Sequence, residues 1–432
     1  MGTETTMYAH DSPVLTRPDQ SVRALDRVCR RVVLARLGAL VTGRITLRDD
    51  DGAWCVASPA GERAPRHAEI RVHDPGFWYT LATRGSIGFG EAYVDGVWDT
   101  PDLVEVIAIL AANRSLLDRM DRGGARLHAG LLKGAHRIAR NTLGGSRRNI
   151  AAHYDLGNDF FARWLDREMH YSSALFASGN ETLEEAQEAK ARRIAERLQL
   201  GPADHLLEIG TGWGGLAIQM ARETGCRVTT TTISTEQDAY ARARVRDAGL
   251  EDRIEVLCRD YRELDGLYDK VVSVEMVEAV GADWLDTYMG VIDARLAPDG
   301  LALIQAITIE DYRYRSALAE VDFIKRHIFP GSFIPSVSAI TGAMARVTQL
   351  GLLELFDLGD SYALTLAHWR RRFEAAWSEI RAMGFDEAFR RRWRYYLAYC
   401  EGGFRERALS DVHLLLAGPD YRKESGSAFR AR

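Results

Sequence analysis

The spacing of hydrophobic residues in the first quarter of the chain indicates a small mixed domain. Residues 21–42 are predicted to form a helix, because apolar side chains recur there at the spacing of one helix face. A second helix is predicted over residues 101–113, after a glycine-rich passage at residues 85–90. Alternating polar and apolar residues predict short strands at Arg44–Arg48, Ala53–Ala57 and Glu69–His73. We therefore expect a small α+β N-terminal domain over residues 1–113.

From about residue 151 the pattern changes to strands that alternate with helices. Short apolar runs predict buried strands at His205–Ile209, Arg227–Thr232, Ile254–Cys258, Lys270–Val274 and Gly300–Ile307. Helical periodicity fills the gaps between them, at Glu184–Leu198, Trp213–Glu223, Glu236–Ala248 and Trp284–Leu296. Strands and helices that alternate at this spacing predict a parallel, doubly wound sheet and therefore an α/β fold.

Further helices and strands are predicted after this sheet. Helices are expected at Tyr314–Phe329 (ended by Pro330), Tyr362–Met383 and Glu387–Glu401, and strands at Leu352–Leu358 and Asp411–Ala417. We assign residues 151–432 to a catalytic domain and residues 114–150 to a basic linker between the two domains.

Charge is unevenly distributed, although the formal net charge of the 432 residues is only −5. Nine Lys and Arg residues stand against two Asp and Glu residues from Arg114 to Arg148. A second basic cluster lies within Arg370–Arg407 and includes Arg390, Arg391, Arg392 and Arg394. Such segments are either solvated faces or surfaces attracted to an anionic membrane. No nucleic-acid partner is expected, because no recognisable nucleic-acid motif is present.

The five cysteines, at positions 29, 55, 226, 258 and 400, are scattered and lack the spacing of metal ligands. This usage is typical of a reducing cytoplasm, and no metal site is expected. The first residues lack the basic and apolar regions of a secretory signal, and the apolar runs are too short to span a bilayer. We therefore expect a cytoplasmic protein.

The strongest local motif, His205–Gly215, follows a predicted strand and opens a predicted helix. Its glycines permit a sharp turn and allow the backbone to lie against a ligand at the helix N-terminus. Gly210, Gly212 and Gly215 fit a dinucleotide-binding pattern, whereas Gly210, Gly212 and Gly214 fit the loop with which methyltransferases bind S-adenosylmethionine. The glycines alone leave both interpretations open.

The end of the second strand favours the methyltransferase. A dinucleotide site needs an acidic residue there for the ribose hydroxyls, but the strand ends at Thr232 and Glu236 lies four residues further on. Glu208 and Asp260, in contrast, stand where enzymes that use S-adenosylmethionine commonly keep polar contacts. An NAD-dependent oxidoreductase therefore stays only as an alternative.

Ordered motifs extend over most of the chain. They lie at His153–Phe161, Met169–Ser173, Leu207–Gly215, Thr232–Gln237, Asp260–Arg262, Ser273–Gly281, Ile328–Pro330, Tyr362 and Gly403–Arg405, and more weakly at Val72–Pro75 and Gly88–Gly96. With these motifs the chain resembles the cyclopropane-fatty-acyl-phospholipid synthases and their relatives, including the mycolic acid cyclopropane synthases and tuberculostearate-type methyltransferases. The resemblance implies a class I, Rossmann-like methyltransferase fold with helical lipid-binding insertions. It also implies transfer of a one-carbon unit from S-adenosylmethionine to the double bond of an unsaturated phospholipid acyl chain, forming a cyclopropane.

The resemblance further implies which residues contact the cofactor. Tyr171 and Ser172 are expected to cover it, Gly210, Gly212 and Gly214 to line it, Thr232, Ile233 and Gln237 to meet the ribose, and Asp260 and Tyr261 to lie near the adenine.

A bound bicarbonate, which removes a proton after methyl transfer, is also implied by the resemblance. Its expected ligands are Glu278, Tyr362, the backbone amide of Ile307, Ser173 and Gln305. Ser173 stands where many members have Cys, and Gln305 where many have His. Both side chains can still donate a hydrogen bond to an anion, but the loss of an imidazole removes one proton relay.

Glu275 lies three residues before Glu278, just after the fourth strand of the predicted sheet. Two carboxylates beside an anion would be unfavourable, because like charges disfavour ionisation. We therefore expect Glu278 to face the site and Glu275 to have a structural or cofactor-adjacent role.

The sequence leaves the product and the assembly open. Loss of a proton from the added carbon closes a cyclopropane, whereas a preceding hydride shift gives a methylene branch that a separate reductase partner would convert to a methyl branch. Together with the basic segments, a lipid substrate predicts a protein attached peripherally to the inner face of an anionic membrane. A homodimer remains open. A non-catalytic lipid-binding module is the alternative outside the enzymes.

Overall fold

A four-stranded and a seven-stranded sheet form the framework of the chain. The structure is a computed structural model that describes residues 20–58, 66–114 and 156–422, with side chains from Leu25 onward. The smaller sheet has the order β2-β1-β3-β4, in which β1 and β3 are parallel and the other pairs are antiparallel. Its strands are β1 (Arg44–Asp49), β2 (Gly52–Ala57), β3 (His67–Val72) and β4 (Trp98–Asp99), and its helices are α1 (Gln20–Leu37), α2 (Gly76–Val94) and α3 (Leu103–Ala112). The three predicted strands and both predicted helices of this region are confirmed.

The glycine-rich passage at residues 85–90 lies inside helix α2. The helix is kinked at Gly85, which has a φ of 56° and a ψ of −139°. A Cβ atom at Gly90 would lie 2.6 Å from the ring of Phe323 and 2.7 Å from that of Tyr395. The absence of a side chain at Gly90 therefore lets α2 pack closely against helices of the larger part of the chain.

The larger sheet has the order β10-β11-β9-β8-β5-β6-β7. Its strands are β5 (His205–Ile209), β6 (Arg227–Thr232), β7 (Ile254–Cys258), β8 (Tyr268–Val274), β9 (Leu296–Ile309), β10 (Gly351–Asp357) and β11 (Leu409–Ala417). Strands β9, β8, β5, β6 and β7 are parallel, while β11 runs antiparallel to both β9 and β10. The predicted doubly wound α/β fold is confirmed. The chain moves from β5 to one side of the sheet and then returns to β8 on the other, and such switch points bind ligands at the carboxyl ends of the strands.

Eleven further α-helices are described around and after this sheet. They are α4 (Asn158–Ala162), α5 (Leu183–Leu198), α6 (Gly215–Thr224), α7 (Thr235–Asp247), α8 (Leu285–Arg295), α9 (Asp311–Ala319), α10 (Phe323–His327), α11 (Val337–Val347), α12 (Gly359–Ala375), α13 (Trp377–Ala382) and α14 (Glu387–Arg405).

Two long predicted helices are each divided into two. The prediction of one helix over Tyr314–Phe329 is wrong, because the side chain of Asp322 accepts a hydrogen bond from the amide of Lys325 and starts a new helix there. The helix predicted over Tyr362–Met383 is interrupted at Ala376. Helix α11 was not predicted.

The two sheets are joined by packing that involves helix α14. Arg391 donates hydrogen bonds to the carbonyl oxygens of Tyr93 (2.5 Å) and Trp98 (2.9 Å), and the rings of Tyr93 and Tyr395 lie 5.7 Å apart. One apolar cluster contains buried residues from both parts, such as Trp98 and Trp369. The division into domains at residues 113 and 151 stays a prediction, and of the predicted basic linker only Arg114 lies within the described residues.

None of the helices in the described part of the chain combines the length and the apolar character that crossing a membrane would require.

Candidate active site

A cavity of about 980 Å³ opens at the carboxyl ends of the central strands. The loops after β5, β6, β7 and β8 supply one part of its wall. Apolar residues of the smaller sheet and of α2, including Leu47, Ile70 and Phe77, supply another. The cavity therefore connects the predicted cofactor loop with the N-terminal part of the chain.

The glycines of the loop after β5 have different roles. Gly210, Gly212 and Gly214 have φ angles of 105°, 52° and 84°, which residues other than glycine rarely adopt. Gly210 and Gly212 line the cavity, and a Cβ atom at Gly212 would meet no atom of the described structure within 4 Å. A Cβ atom at Gly214 would instead lie 3.2 Å from the Cβ of Ala241. Gly214, which was predicted to line the cofactor, is buried and packs against helix α7.

The predicted ribose and adenine residues all lie on the cavity wall. The hydroxyl of Thr232 donates to Oε1 of Gln237 (2.9 Å), which fixes the start of helix α7 beside Ile233. Asp260 accepts hydrogen bonds from the amide and guanidinium of Arg262 at 2.8–3.0 Å. Burial raises the pKa of the neighbouring Tyr261 to about 12, so its phenol stays neutral.

Tyr171 and Ser172, which the resemblance predicts to cover the cofactor, line the cavity as well. The hydroxyls of Tyr171 and Tyr396 are 2.8 Å apart and share a hydrogen bond. The ammonium group of Lys190 donates to the hydroxyl of Ser172 at 2.7 Å. Burial lowers the pKa of Lys190 to about 8, against the opposing effect of Glu275 and other nearby carboxylates. A buried cation therefore stands behind this wall, which sequence reasoning did not find.

Glu275, which follows β8 directly, is the centre of a hydrogen-bonding group. Its Oε1 accepts from the amide of Ser173 (2.6 Å) and from Nε2 of Gln305 (2.9 Å), and its Oε2 accepts from the hydroxyl of Tyr362 (2.6 Å). Its φ angle of 46° lies in the left-handed region that favours glycine, so this position is strained. Glu275 lines the cavity, and burial raises its pKa to about 7.

Glu278 has a poorer hydrogen-bonding environment than Glu275. Its Oε1 accepts from the amide of Ile307 at 2.6 Å, while its buried Oε2 has no hydrogen-bond partner among the described residues. Burial, followed by the charge of Glu275, raises the pKa of Glu278 to about 8. The environments of the two carboxyl groups therefore favour the charged form at Glu275 and the neutral form at Glu278 near neutral pH.

Ser173 and Gln305 lie behind Glu275. Both side chains are fully buried. The hydroxyl of Ser173 donates to the carbonyl of Ala174 (3.0 Å). Nε2 of Gln305 also donates to Asp411 (2.7 Å), and Oε1 of Gln305 accepts from Nε2 of His413 (3.0 Å). The two residues thus position Glu275 and do not themselves reach the cavity.

Asp411 and His413 were not found from the sequence. They lie on β11, which pairs antiparallel with β9 so that Asp411 is opposite Ile307 and His413 opposite Gln305. Burial raises the pKa of Asp411 well above the ordinary value of a carboxyl group and lowers the pKa of His413 well below that of an imidazole. Both side chains are therefore neutral. The only available signal was their alternation on a predicted strand, and it does not identify the partner strand.

Similar proteins were found in sequence. The chain matches the family described as mycolic acid cyclopropane synthetase over residues 143–414. It is 37% identical over 370 residues to the tuberculostearic acid methyltransferase UfaA1 of Mycobacterium tuberculosis (strain ATCC 25618 / H37Rv), covering 83% of this chain and 86% of that protein. It is also 37% identical over 342 residues to the cyclopropane-fatty-acyl-phospholipid synthase of Escherichia coli (strain K12), covering 79% of this chain and 85% of that protein.

Solved structures are also similar. The cyclopropane synthase MmaA2 from Mycobacterium tuberculosis superposes with a TM-score of 0.59 at 28% identity, over 63% of this chain and 98% of that one. Mycolic acid cyclopropane synthase CmaA1 complexed with SAH and CTAB gives a TM-score of 0.59 at 26% identity, with the same coverage.

Together with these similar proteins, the sheet order, the glycine loop and the cavity identify the chain as an S-adenosylmethionine-dependent methyltransferase. More narrowly, the chain belongs to the mycolic acid cyclopropane synthetase family. The predicted family, fold class and activity, methyl transfer to unsaturated fatty-acyl chains, are confirmed. Neither the NAD-dependent oxidoreductase nor the non-catalytic module is supported.

Proposed function

We propose that the chain transfers a one-carbon unit to the double bond of an unsaturated acyl chain in a membrane phospholipid, with a cyclopropane as the product. The observation that carries this proposal is the continuous cavity, whose wall includes Gly212 of the cofactor loop, Glu275, and apolar residues of the N-terminal part such as Leu47 and Phe77. A largely apolar cavity with a few polar groups suits an acyl chain whose double bond must lie beside the methyl donor.

The residues of the glycine loop fit S-adenosylmethionine. The open position at Gly212 allows a ligand to touch the backbone, and the N-terminus of α6 follows directly. Thr232, Gln237 and Asp260 offer polar groups for the ribose and adenine. When bound, this cofactor supplies an electrophilic methyl group on a positively charged sulfur. The loop's part is to hold that methyl group in line with the double bond.

Aromatic side chains supply the environment that a cationic acyl intermediate needs. Tyr171, Phe329 and Tyr396 line the cavity. The ring centroid of Phe329 lies 6.3 Å from that of Tyr171 and 6.0 Å from that of Tyr396. Aromatic faces attract a positive charge and exclude water. We infer that this wall protects the intermediate until it loses a proton.

Bicarbonate does not fit the donor groups as they are arranged. Tyr362 donates to Glu275, the amide of Ile307 donates to Glu278, and the donors of Ser173 and Gln305 are engaged as well. A bicarbonate placed here would meet two carboxyl groups with few free donors, which is unfavourable for an anion. The residues present therefore do not form a bicarbonate site, and Glu278 and Tyr362 line the cavity without one.

A methylene-branched product is the second candidate. One relative is named a tuberculostearic acid methyltransferase and another a cyclopropane synthase, at the same identity of 37%. The two products differ only in whether a hydride shifts before the proton is lost. The branched product would need a separate reductase to become a methyl branch.

Lipid mass spectrometry of a bacterial host that expresses the chain tests this proposal. Unsaturated acyl chains should gain one CH2 unit, and a host expressing the Gly212→Val variant should show no gain. With a methyl-deuterated donor, both products keep two deuterium atoms on the added carbon, but only the branched product carries a terminal alkene. Acyl chains of unchanged mass would contradict the proposed function.

We also propose that the enzyme works peripherally on the inner face of an anionic membrane. The support comes from the basic segment at residues 114–150, of which only Arg114 lies within the described part of the chain. The second basic cluster contributes less, since Arg390 and Arg394 both pair with Glu374, and Arg370 pairs with Glu401.

A further inference from the structure

We propose that the carboxylate of Glu275 is the general base of this enzyme and takes the place of a dissolved anion. The proposal rests on the proposed function, because it concerns the proton that the added carbon must lose. It assigns a catalytic role to a residue that the motif pattern alone placed outside the reaction.

The first argument is the set of donors around Glu275. An anion that is to bind at this point of the cavity needs donors that converge on it, and Ser173, Gln305 and Tyr362 supply three. All three already point to the Glu275 carboxylate, at 2.6–2.9 Å. The chain therefore fills its own anion site with a covalently attached carboxylate.

The second argument is that Oε2 of Glu275 can accept a further proton donor. An ionised carboxylate has about four lone-pair positions. Among the described residues, two donors reach Oε1 of Glu275 but one, the Tyr362 hydroxyl, reaches Oε2. Because Glu275 lines the cavity, a lone pair on Oε2 remains available for a proton from the substrate.

The third argument is backbone strain. Glu275 keeps a φ of 46°, although a glycine would adopt this conformation at lower cost. Residues held in such conformations cluster at functional sites, where the surrounding structure enforces them. The next residue, Met276, packs 3.4 Å from where a Cβ of Gly210 would be, so the strained position adjoins the cofactor loop.

The charges around Glu275 favour a base that works near neutral pH. Lys190 lies behind Ser172, and its positive charge, together with the three donors, lowers the pKa of Glu275 against the effect of burial. Tyr362, Asp411 and Glu278, which also surround this carboxylate, are held neutral by burial near that pH. The resulting pKa of about 7 is that of an efficient general base.

The proton step is balanced without a further reactant. A C–H bond of the transferred methyl group breaks, and its proton goes to Oε2 of Glu275. The electron pair of that bond forms the third bond of the cyclopropane ring at the cationic carbon. If a hydride has shifted first, the same electron pair forms the double bond of the methylene branch.

Chemical rescue tests the proposal with purified full-length protein and vesicles of an unsaturated phospholipid. Wild-type turnover should be unchanged when bicarbonate is removed from the buffer. Glu275→Gln and Glu275→Gly should each lower kcat by at least about 10²-fold, the low end for a lost base. Added bicarbonate should restore part of the activity of Glu275→Gly, where space is opened, and none of that of Glu275→Gln.

Two controls separate folding from chemistry. Glycine relieves the strain at position 275, so Glu275→Gly should still fold and bind S-adenosylhomocysteine in calorimetry. Gln199, which has a φ of 54° at the end of α5 and lies away from the cavity, gives the matched variant Gln199→Gly. That variant should keep wild-type turnover and show no response to bicarbonate.

The outcomes distinguish this inference from the proposed function. The role of Glu275 would be overturned if the wild type modified the lipid only when bicarbonate is present and the Glu275→Gly variant were unimpaired. The proposed function would survive that result. A wild type that binds S-adenosylhomocysteine but modifies no lipid under any condition would overturn the proposed function itself.

Discussion

The hydroxyl of Tyr362 donates a hydrogen bond of 2.6 Å to Oε2 of Glu275, not to Glu278. Tyr362 lies on helix α12, while Glu275 is the first residue after strand β8. The bond therefore ties the helical part of the chain to the carboxyl edge of the sheet at the point where the cavity wall passes between them. Burial raises the pKa of this phenol well above its ordinary value, so the hydroxyl stays neutral and can donate its proton to the carboxylate of Glu275.

Tyr362→Phe removes this donor and should shift the pH dependence of turnover. Loss of a hydrogen bond to the charged form raises the pKa of Glu275 further above its value of about 7. Since a base must be deprotonated to act, kcat rises with pH through that pKa, and the variant's rising limb should lie at higher pH. We expect kcat near neutral pH to fall by about 10-fold or more. Tyr312→Phe, at a tyrosine that is 76% exposed, is the matched control; an unshifted limb in Tyr362→Phe would argue against Glu275 as the titrating base.

The sequence predicted the elements around this site better than the contacts within it. Strands β5, β6 and β7 have the predicted bounds, because each is a short run rich in aliphatic or β-branched residues, which is a local pattern in the sequence. The three hydrogen bonds to Glu275 were not predicted, because the like-charge argument placed Glu278 at the site and left Glu275 a structural or cofactor-adjacent role. Which of them carries the charge depends on donors from residues 173, 305 and 362, and those long-range contacts leave no local pattern. The division of Tyr314–Phe329 was missed because the Asp322 cap was outweighed by apolar periodicity.

Substitutions at two neighbouring glycines of the loop should affect different properties, namely ligand affinity at Gly212 and stability at Gly214. Gly212→Ala places a methyl group in the open cavity, so it should weaken binding of S-adenosylhomocysteine by about 10-fold or more and cost about 1 kcal/mol of stability through its φ of 52°. Gly214→Ala forces a contact of 3.2 Å with Ala241, so it should lower stability by more while leaving the affinity of the folded protein nearly unchanged. Calorimetry and urea unfolding of both variants measure the two effects. Equal losses of affinity would show that Gly214 also meets the ligand.

The buried carboxyl group of Glu208 should make the stability of the protein depend on pH. Burial raises its pKa from the ordinary 4.5 to about 8, although the hydroxyl of Thr230 donates to it at 2.6 Å. Between these two pH values the unfolded chain releases this proton and the folded chain retains it, so Glu208 lowers the free energy of unfolding as pH rises from 4.5 to about 8. Glu208→Gln should therefore gain stability over the wild type near the upper value, by an amount on the order of a few kcal/mol, and little near the lower one.

Urea unfolding at the two ends of this pH range measures the difference for Glu208→Gln. Glu255→Gln, which changes an exposed glutamate of strand β7, is the matched control and should show the same stability difference at both ends. A constant difference for Glu208→Gln as well would mean that its carboxyl group is already ionised in the folded protein.

The basic segment before the catalytic part predicts binding to anionic vesicles that weakens with salt. Each basic residue near such a surface contributes about 1 kcal/mol, and exposed charges are screened over about 8 Å at physiological ionic strength. Changing Arg137, Arg140, Arg147 and Arg148 to Gln should reduce vesicle binding by about 10-fold or more, while turnover on detergent-dispersed lipid changes less. The matched control makes the same change at four exposed arginines elsewhere on the chain, Arg192, Arg222, Arg227 and Arg246. Because both variants lose four positive charges, a general effect of net charge would weaken vesicle binding equally in the two, whereas a docking segment would do so only in the first.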